Sequence, residues 1–108
     1  MAEPLEITDA TFDAEIKQSQ LPVLIDFGAV WCGPCRALAP TVDALCGEYA
    51  GKLKVCKVDV DVAQGISGEY GIRSVPTLIF IKNGVEVDRM VGAVPKKEIV
   101  KVIDKLLA

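Results

Sequence analysis

Histidine does not occur in the 108-residue chain. Its absence excludes Ser-His-Asp and Cys-His nucleophile systems made within the chain, and with them every His-ligated metal site. Long hydrophobic runs are missing too. The most apolar stretch, Leu21 to Trp31, is interrupted by Asp26 and falls well short of the roughly 18–20 residues that cross a bilayer. A secretory signal needs a basic start and an apolar middle, whereas this chain opens on Glu3, Glu6 and Asp9. No membrane association is expected, and the location is read as intracellular and cytoplasmic. Positive charge is not in excess either: 12 Lys+Arg against 15 Asp+Glu leave a net charge of -3. That balance opposes the counterion release that drives nucleic-acid binding, so no DNA or RNA partner is expected.

Low-complexity tracts, internal repeats and Pro/Gly/Ser-rich linkers are likewise lacking, so residues 1–108 read as a single domain. What is present is core material. Apolar residues make up 51% of the chain and charged residues 25%, a composition that buries well and does not suit disorder. Nothing in it demands more than a monomer. Four cysteines remain to be explained: Cys32, Cys35, Cys46 and Cys56. An intracellular chain with this much core needs no disulfide framework, so each must be argued by its own chemistry.

The hydrophobic pattern alternates between strand and helix. A short strand around Leu5 to Ile7 leads to a helix near Ala10 to Ser19, with Asp9 as its N-cap and Phe12 and Ile16 on its buried face. The run Val23 to Phe27 predicts a central strand covered on both faces, with Asp26 as its anomaly. A long helix follows from about Cys32 to Tyr49, carrying Leu38, Val42 and Leu45 and a kink at Pro40. Leu53 to Val58 predicts a further strand, and Val62 to Tyr70 a short helix weakened by Gly65 and Gly68. Thr77 to Lys82 and Val85 to Val91 flank Asn83-Gly84, the favoured pair for a type I′ hairpin; the second arm alternates Val85, Val87 and Val91, as its apolar face, with Glu86 and Asp88, which makes it the half-exposed edge. Pro95, at a first-turn position, opens a last helix whose stripe is Ile99, Ile103, Leu106 and Leu107. The sum is an α/β domain: a five-stranded mixed sheet, its first three strands parallel, flanked by four helices. Reactive groups in such sheets gather beyond the carboxyl ends of the central strands. Trp31-Cys32-Gly33-Pro34-Cys35 falls at that place.

A thiolate is the reactive form of cysteine, and a helix N-terminus stabilises it with unpaired N–H groups and the positive end of the macrodipole. Cys32 is placed to receive both. Cys35 lies one turn further on, Pro34 costs little in a first turn, and Gly33 leaves the sulfur open. This is the pattern of a reversible dithiol/disulfide couple. The competing reading is zinc, which needs two further ligands. Neither a second CxxC nor a histidine supplies them, and Cys46 and Cys56 fall on a helix and a strand. A lone CxxC beside a βαβ pattern therefore reads as redox.

The segment Asp26-Phe27-Gly28-Ala29-Val30-Trp31-Cys32-Gly33-Pro34-Cys35-Arg36 resembles the active-site region of the thioredoxin family. Ala39-Pro40, Lys57-Val58-Asp59-Val60-Asp61, Tyr70 to Thr77, Lys82-Asn83-Gly84 and Val91-Gly92-Ala93 match in the same order, so the resemblance covers essentially the whole chain. It implies a thioredoxin fold and a protein-disulfide reductase. Cys32 would be the nucleophile and Cys35, the more buried sulfur, the resolving thiol. Asp26 would be the proton acceptor beneath Cys35, and Lys57 its partly buried partner. Desolvation of a carboxylate in an apolar strand independently suits Asp26 to proton transfer, although Asp26 and Lys57 can also be read as a structural ion pair. Pro76 by itself reads as the start of a strand; the resemblance implies a cis peptide there, with the Val75 backbone free for an extended client segment. Trp31, Gly33, Pro34, Val75, Pro76, Gly92 and Ala93 would form the client-binding surface.

Thioredoxin reductase and disulfide-containing client proteins are the partners this implies, and no bound cofactor is needed because two sulfurs carry the electrons. A disulfide oxidase or isomerase on the same fold is the nearest rival, but those commonly place histidine between the cysteines. A redox-independent binding subunit is another. Gly28 departs from the family, which usually has an aromatic residue there, and predicts space beside the active-site loop. Ser74, where glycine is frequent, is a milder departure. Cys46 and Cys56 are expected to be buried free thiols rather than a second disulfide.

Overall fold

The apolar run that starts at Val23 becomes the centre of the sheet, and the two-residue period of a strand divides it between two cores. In the computed structural model, which describes residues 3–108, this strand is β2 (Val23–Gly28). Val23, Ile25 and Phe27 enter one core with Ile79 and Ile81, and Leu24 enters the other with Leu78 and Phe80. The remaining strands are β1 (Leu5–Glu6), β3 (Lys54–Asp59), β4 (Thr77–Lys82) and β5 (Val85–Val91), in the order β1-β3-β2-β4-β5. β1 and β2 pair parallel with β3, while β4 runs antiparallel to both β2 and β5. Helices α1 (Gly33–Glu48), α2 (Gln64–Glu69) and α3 (Lys96–Leu107) and a π-helical turn, Asp13–Lys17, complete the fold. The α/β class, the mixed five-stranded sheet and the four helical segments are those expected from the pattern.

One core holds Phe12 and Ile16 of the π-helical region and Ile66 of α2. The opposite core holds Leu38, Val42 and Leu45 of α1 and Ile99, Ile103 and Leu106 of α3. By the same alternation Asp26 and Gly28 follow Leu24 on the α1 side, which puts both below the start of that helix. α1 runs unbroken through Pro40. Asn83 and Gly84 both have positive φ, 54° and 79°, as a type I′ turn requires.

Three local expectations are corrected. Asp9 does not cap its own helix: the π-helical turn has no side-chain cap. Its carboxylate instead accepts hydrogen bonds from Gly65 N (3.1 Å) and Ile66 N (2.8 Å). Residue 63, at the N-cap of α2, is an alanine without a capping side chain, so a remote carboxylate satisfies orphan donors that the local sequence leaves open. β5 is the edge strand, but Val85, Val87 and Val91 are exposed and Met90 packs on the core. A register shift opposite Phe80 and Ile81 inserts Val87 and resets the alternation. Pro95 is the N-cap of α3 rather than a first-turn residue.

Candidate active site

β2 ends at Gly28, and the chain turns through Ala29–Trp31 to Cys32, the N-cap of α1, with φ -92° and ψ 112°. The turn is tied down from several sides. Cys32 N donates to Ala29 O (3.2 Å), Val60 N donates to Gly28 O (3.0 Å), and the Arg36 guanidinium donates to Val30 O (2.8 Å). Trp31, 66% exposed, is fixed by its indole N–H, which donates to Asp61 Oδ2 at 2.8 Å. Neither the Arg36 nor the Asp61 contact was foreseeable. Asp61 lies thirty positions from Trp31, and no local pattern links them.

Cys32 and Cys35 form a disulfide, their Cα atoms 5.3 Å apart. Cys35 N donates to Cys32 Sγ at 3.2 Å, so a backbone N–H of the first turn is directed at the sulfur. Cys32 Sγ also stands 3.7 Å from the Val75 carbonyl oxygen. The Val75–Pro76 peptide is cis. Among the described residues, neither the N–H nor the carbonyl of Val75 has a backbone partner, whereas Pro76 O accepts from Gly92 N at 2.8 Å. Gly92 holds φ at 97° to make that contact, a conformation that favours glycine. Trp31, Gly33, Pro34 and Ala93 are exposed, Val75 and Gly92 half-buried and Pro76 buried. Contacts thus bring Cys32, the Val75–Pro76 pair and Gly92 together from three separate parts of the chain.

The two sulfur-bearing residues reverse their expected order of burial. Cys32 is 5% exposed, while Cys35 is only half-buried. Cys32 is covered from the Val75 side. Cys35 borders a cavity of about 220 Å³ whose lining includes Asp26, Gly28, Arg36, Ala39 and Lys57. A β-carbon on Gly28 would lie 3.4 Å from Cys35 Sγ and 4.0 Å from Asp26 Oδ1. The missing side chain at Gly28 is therefore what bares Cys35, and the expected space beside the loop is present.

Asp26 shares that space. Burial pushes its carboxyl from an ordinary 3.8 up to about 6; attraction by Lys57 opposes the rise and repulsion from Asp43 adds to it. Asp26 Oδ1 is buried without a hydrogen-bond partner. Lys57 is its neighbour across the β2–β3 register, but it is exposed rather than partly buried. Its long side chain keeps the ammonium in water, and among the described residues no ion pair joins it to Asp26. The remaining cysteines are free. Cys56 is fully buried and its thiol is pushed up to about 12, chiefly by desolvation. Cys46 is half-buried rather than buried. Cys46 packs on the α1 side of the sheet and Cys56 on the other, so the sheet separates them.

Among the described residues, no helix is long and apolar enough to cross a membrane. The thioredoxin family profile matches residues 3–105. Thioredoxin 1 of Nostoc sp. is 48% identical over 99% of this chain and 100% of its own length. Thioredoxin 1 of Synechococcus elongatus is 50% identical over 94% of each chain. The chloroplastic M-type thioredoxin of Chlamydomonas reinhardtii is 46% identical over 98% of this chain and 76% of its own length. With a disulfide joining the two cysteines of its CxxC at the carboxyl end of the central strand, the chain belongs to the thioredoxin family of thiol-disulfide oxidoreductases.

Proposed function

We propose that the protein works as a reductase of protein disulfides and is itself re-reduced by a thioredoxin reductase. The observation that carries this reading is the backbone N–H of Cys35 directed at Cys32 Sγ from the first turn of α1, which favours a thiolate at Cys32. In the reduced protein the Cys32 thiolate attacks a client disulfide; one client sulfur leaves as thiolate and the other is held in a mixed disulfide. Cys35 then loses its proton and attacks Cys32 Sγ. The client departs with two thiols, and the Cys32–Cys35 disulfide carries the oxidation.

Asp26 is the acceptor of the Cys35 proton. With its pKa at about 6, roughly nine in ten of its carboxylates are ionised at pH 7 and able to take a proton. Lys57 acts on Asp26 by charge at a distance and is a positioning residue. The unpartnered backbone of Val75 suits pairing with an extended client segment, in the manner of an added strand. Trp31, Gly33, Pro34, Pro76, Gly92 and Ala93 give that segment an apolar rim. Two sulfurs hold the electrons, so no cofactor enters the cycle. A reducing compartment such as the cytoplasm suits the chemistry, and a monomer suffices for it.

The test is catalytic. Reduced wild-type protein is expected to cleave a protein disulfide such as that of insulin with multiple turnovers when a thioredoxin reductase supplies electrons. Retention of that turnover by Cys32→Ser would refute the reading. Equilibration against a glutathione series gives the potential that separates a reductant from an oxidase.

A further inference from the structure

We infer that the cavity beside Gly28 admits a low-molecular-weight thiol to Sγ of Cys35, giving small thiols a route to the disulfide that protein partners cannot use. The inference rests on the Cys32–Cys35 couple proposed above and adds a second point of attack to it. Three observations converge. Cys35 borders an open volume of about 220 Å³, whereas Cys32 is 5% exposed. A single β-carbon at residue 28 would already stand in contact with Cys35 Sγ, so access depends on that position being glycine. The volume lies below the roughly 300 Å³ at which pockets for larger organic ligands begin. It suits a thiol of a few heavy atoms and not a polypeptide segment.

Chemistry favours the same sulfur. A thiolate RS⁻ that attacks Cys35 expels Cys32 as the leaving thiolate, and exchange is faster when the leaving thiol has the lower pKa. Cys32 receives the Cys35 N–H at its sulfur. Cys35 instead lies near the Asp26 carboxylate: both Cys35 Sγ and Asp26 Oδ1 are within 4.0 Å of one point, so a departing negative charge on Cys35 is disfavoured. Attack at Cys35 thus produces the better-stabilised anion. At the exposed rim, Arg36 and Lys57 offset the repulsion between Asp26 and the entering thiolate.

The step balances. The RS–Cys35 bond forms, the Cys32–Cys35 bond breaks, and Cys32 takes the electron pair. A second RS⁻ then attacks the R sulfur of the mixed disulfide, releasing RSSR and the Cys35 thiolate, which takes a proton from solvent. Two small thiols are oxidised and one protein disulfide is reduced.

The experiment forms the same Cys35–S–R bond in isolation. Cys32→Ser is treated with bis(2-hydroxyethyl) disulfide, and the adduct is located by peptide mapping, which also separates reaction at Cys46. The rate per Cys35 thiolate is taken from its pH profile, with residue 28 as glycine or phenylalanine. A fall of tenfold or more in Gly28→Phe is expected. A smaller fall, or no adduct at Cys35 in the glycine background, would overturn the inference. Should Gly28→Phe not fold, judged by circular dichroism, Gly28→Val closes the same contact and is held to the same threshold. A wild-type chain that never forms the Cys32–Cys35 disulfide under oxidant would sink the redox reading itself; a normal couple with Cys35 closed sinks only the small-thiol route.

Discussion

Gly28 stands so close to Cys35 that a β-carbon added to it would lie 3.4 Å from the sulfur, at ordinary contact distance. The backbone there is that of a strand end, and glycine is not needed for its conformation: Gly28 is not among the positive-φ glycines. A larger side chain can therefore enter the cavity without backbone strain. Gly28→Phe is expected to stabilise the fold by about 1 kcal/mol or more, from apolar burial and from replacing a strand glycine. In a chain of this size that is roughly a 4–8 °C rise in Tm. Differential scanning calorimetry of the oxidised protein checks it, and a fall in Tm would show that the space cannot take a ring.

The Asp26 carboxyl links stability to pH. Its folded value of about 6 lies above the ordinary 3.8. Between those values the folded chain keeps a proton that the unfolded chain has released, so stability falls as pH rises through this window. Above pH 6 the full cost of holding the charge applies, about 3 kcal/mol by the conversion of 1.36 kcal/mol per pH unit. Asp26→Asn should raise the unfolding free energy, read from urea denaturation at pH 7, by an amount of that order and give no such gain below pH 4. An equal gain at both pH values would rule out ionisation as the cause.

Attraction by Lys57 holds the Asp26 pKa below where burial alone would put it. Lys57→Met should therefore move it above 6, as followed by the carboxyl carbon in an NMR titration. An unchanged titration would mean that the exposed ammonium is fully screened.

Asp9 and Gly65 are coupled at the start of α2. Alanine ordinarily improves a helical glycine site by about 1 kcal/mol, but a β-carbon on Gly65 would meet Asp9 Oδ2 at 2.9 Å. Gly65→Ala should give no gain in the wild-type background, Asp9→Ala should cost about 1 kcal/mol as a lost cap, and Gly65→Ala should become stabilising once Asp9 is removed. Additive effects in the double-mutant cycle would contradict the contact.

Cys46 and Cys56 should differ in reactivity. With its thiol pushed up to about 12, only about one Cys56 in ten thousand is a thiolate at pH 8, and it is fully buried. Iodoacetamide should label Cys46 of the native reduced protein well before Cys56. The reverse order, read by mass spectrometry, would contradict the burial.

The elements themselves were legible because their signals are local. Val23 to Phe27, the Asn83-Gly84 turn and the α3 stripe each state period or turn geometry within a few residues. Cys32 at a helix start was legible for the same reason. Asp9 was misread because its side chain serves donors on α2, and the inward face of β5 was misread because the bulge at Val87 shifts the alternation. Burial of Cys35 and Lys57 was misjudged because neighbours distant in sequence set it.

Residue order alone determined the chemistry available to this protein: a CxxC dithiol, a carboxylate inside a strand, no histidine and no basic surplus. It also determined the strand and helix pattern, since hydrophobic spacing along a chain is a local property. Only the tertiary structure decided which sulfur is covered, that the Val75 carbonyl stands over Cys32 while Gly92 ties down Pro76, and that Gly28 opens Cys35 and Asp26 to one cavity. Those facts depend on atoms from separate segments converging in space, and solvation, charge and access at a sulfur are set by that convergence.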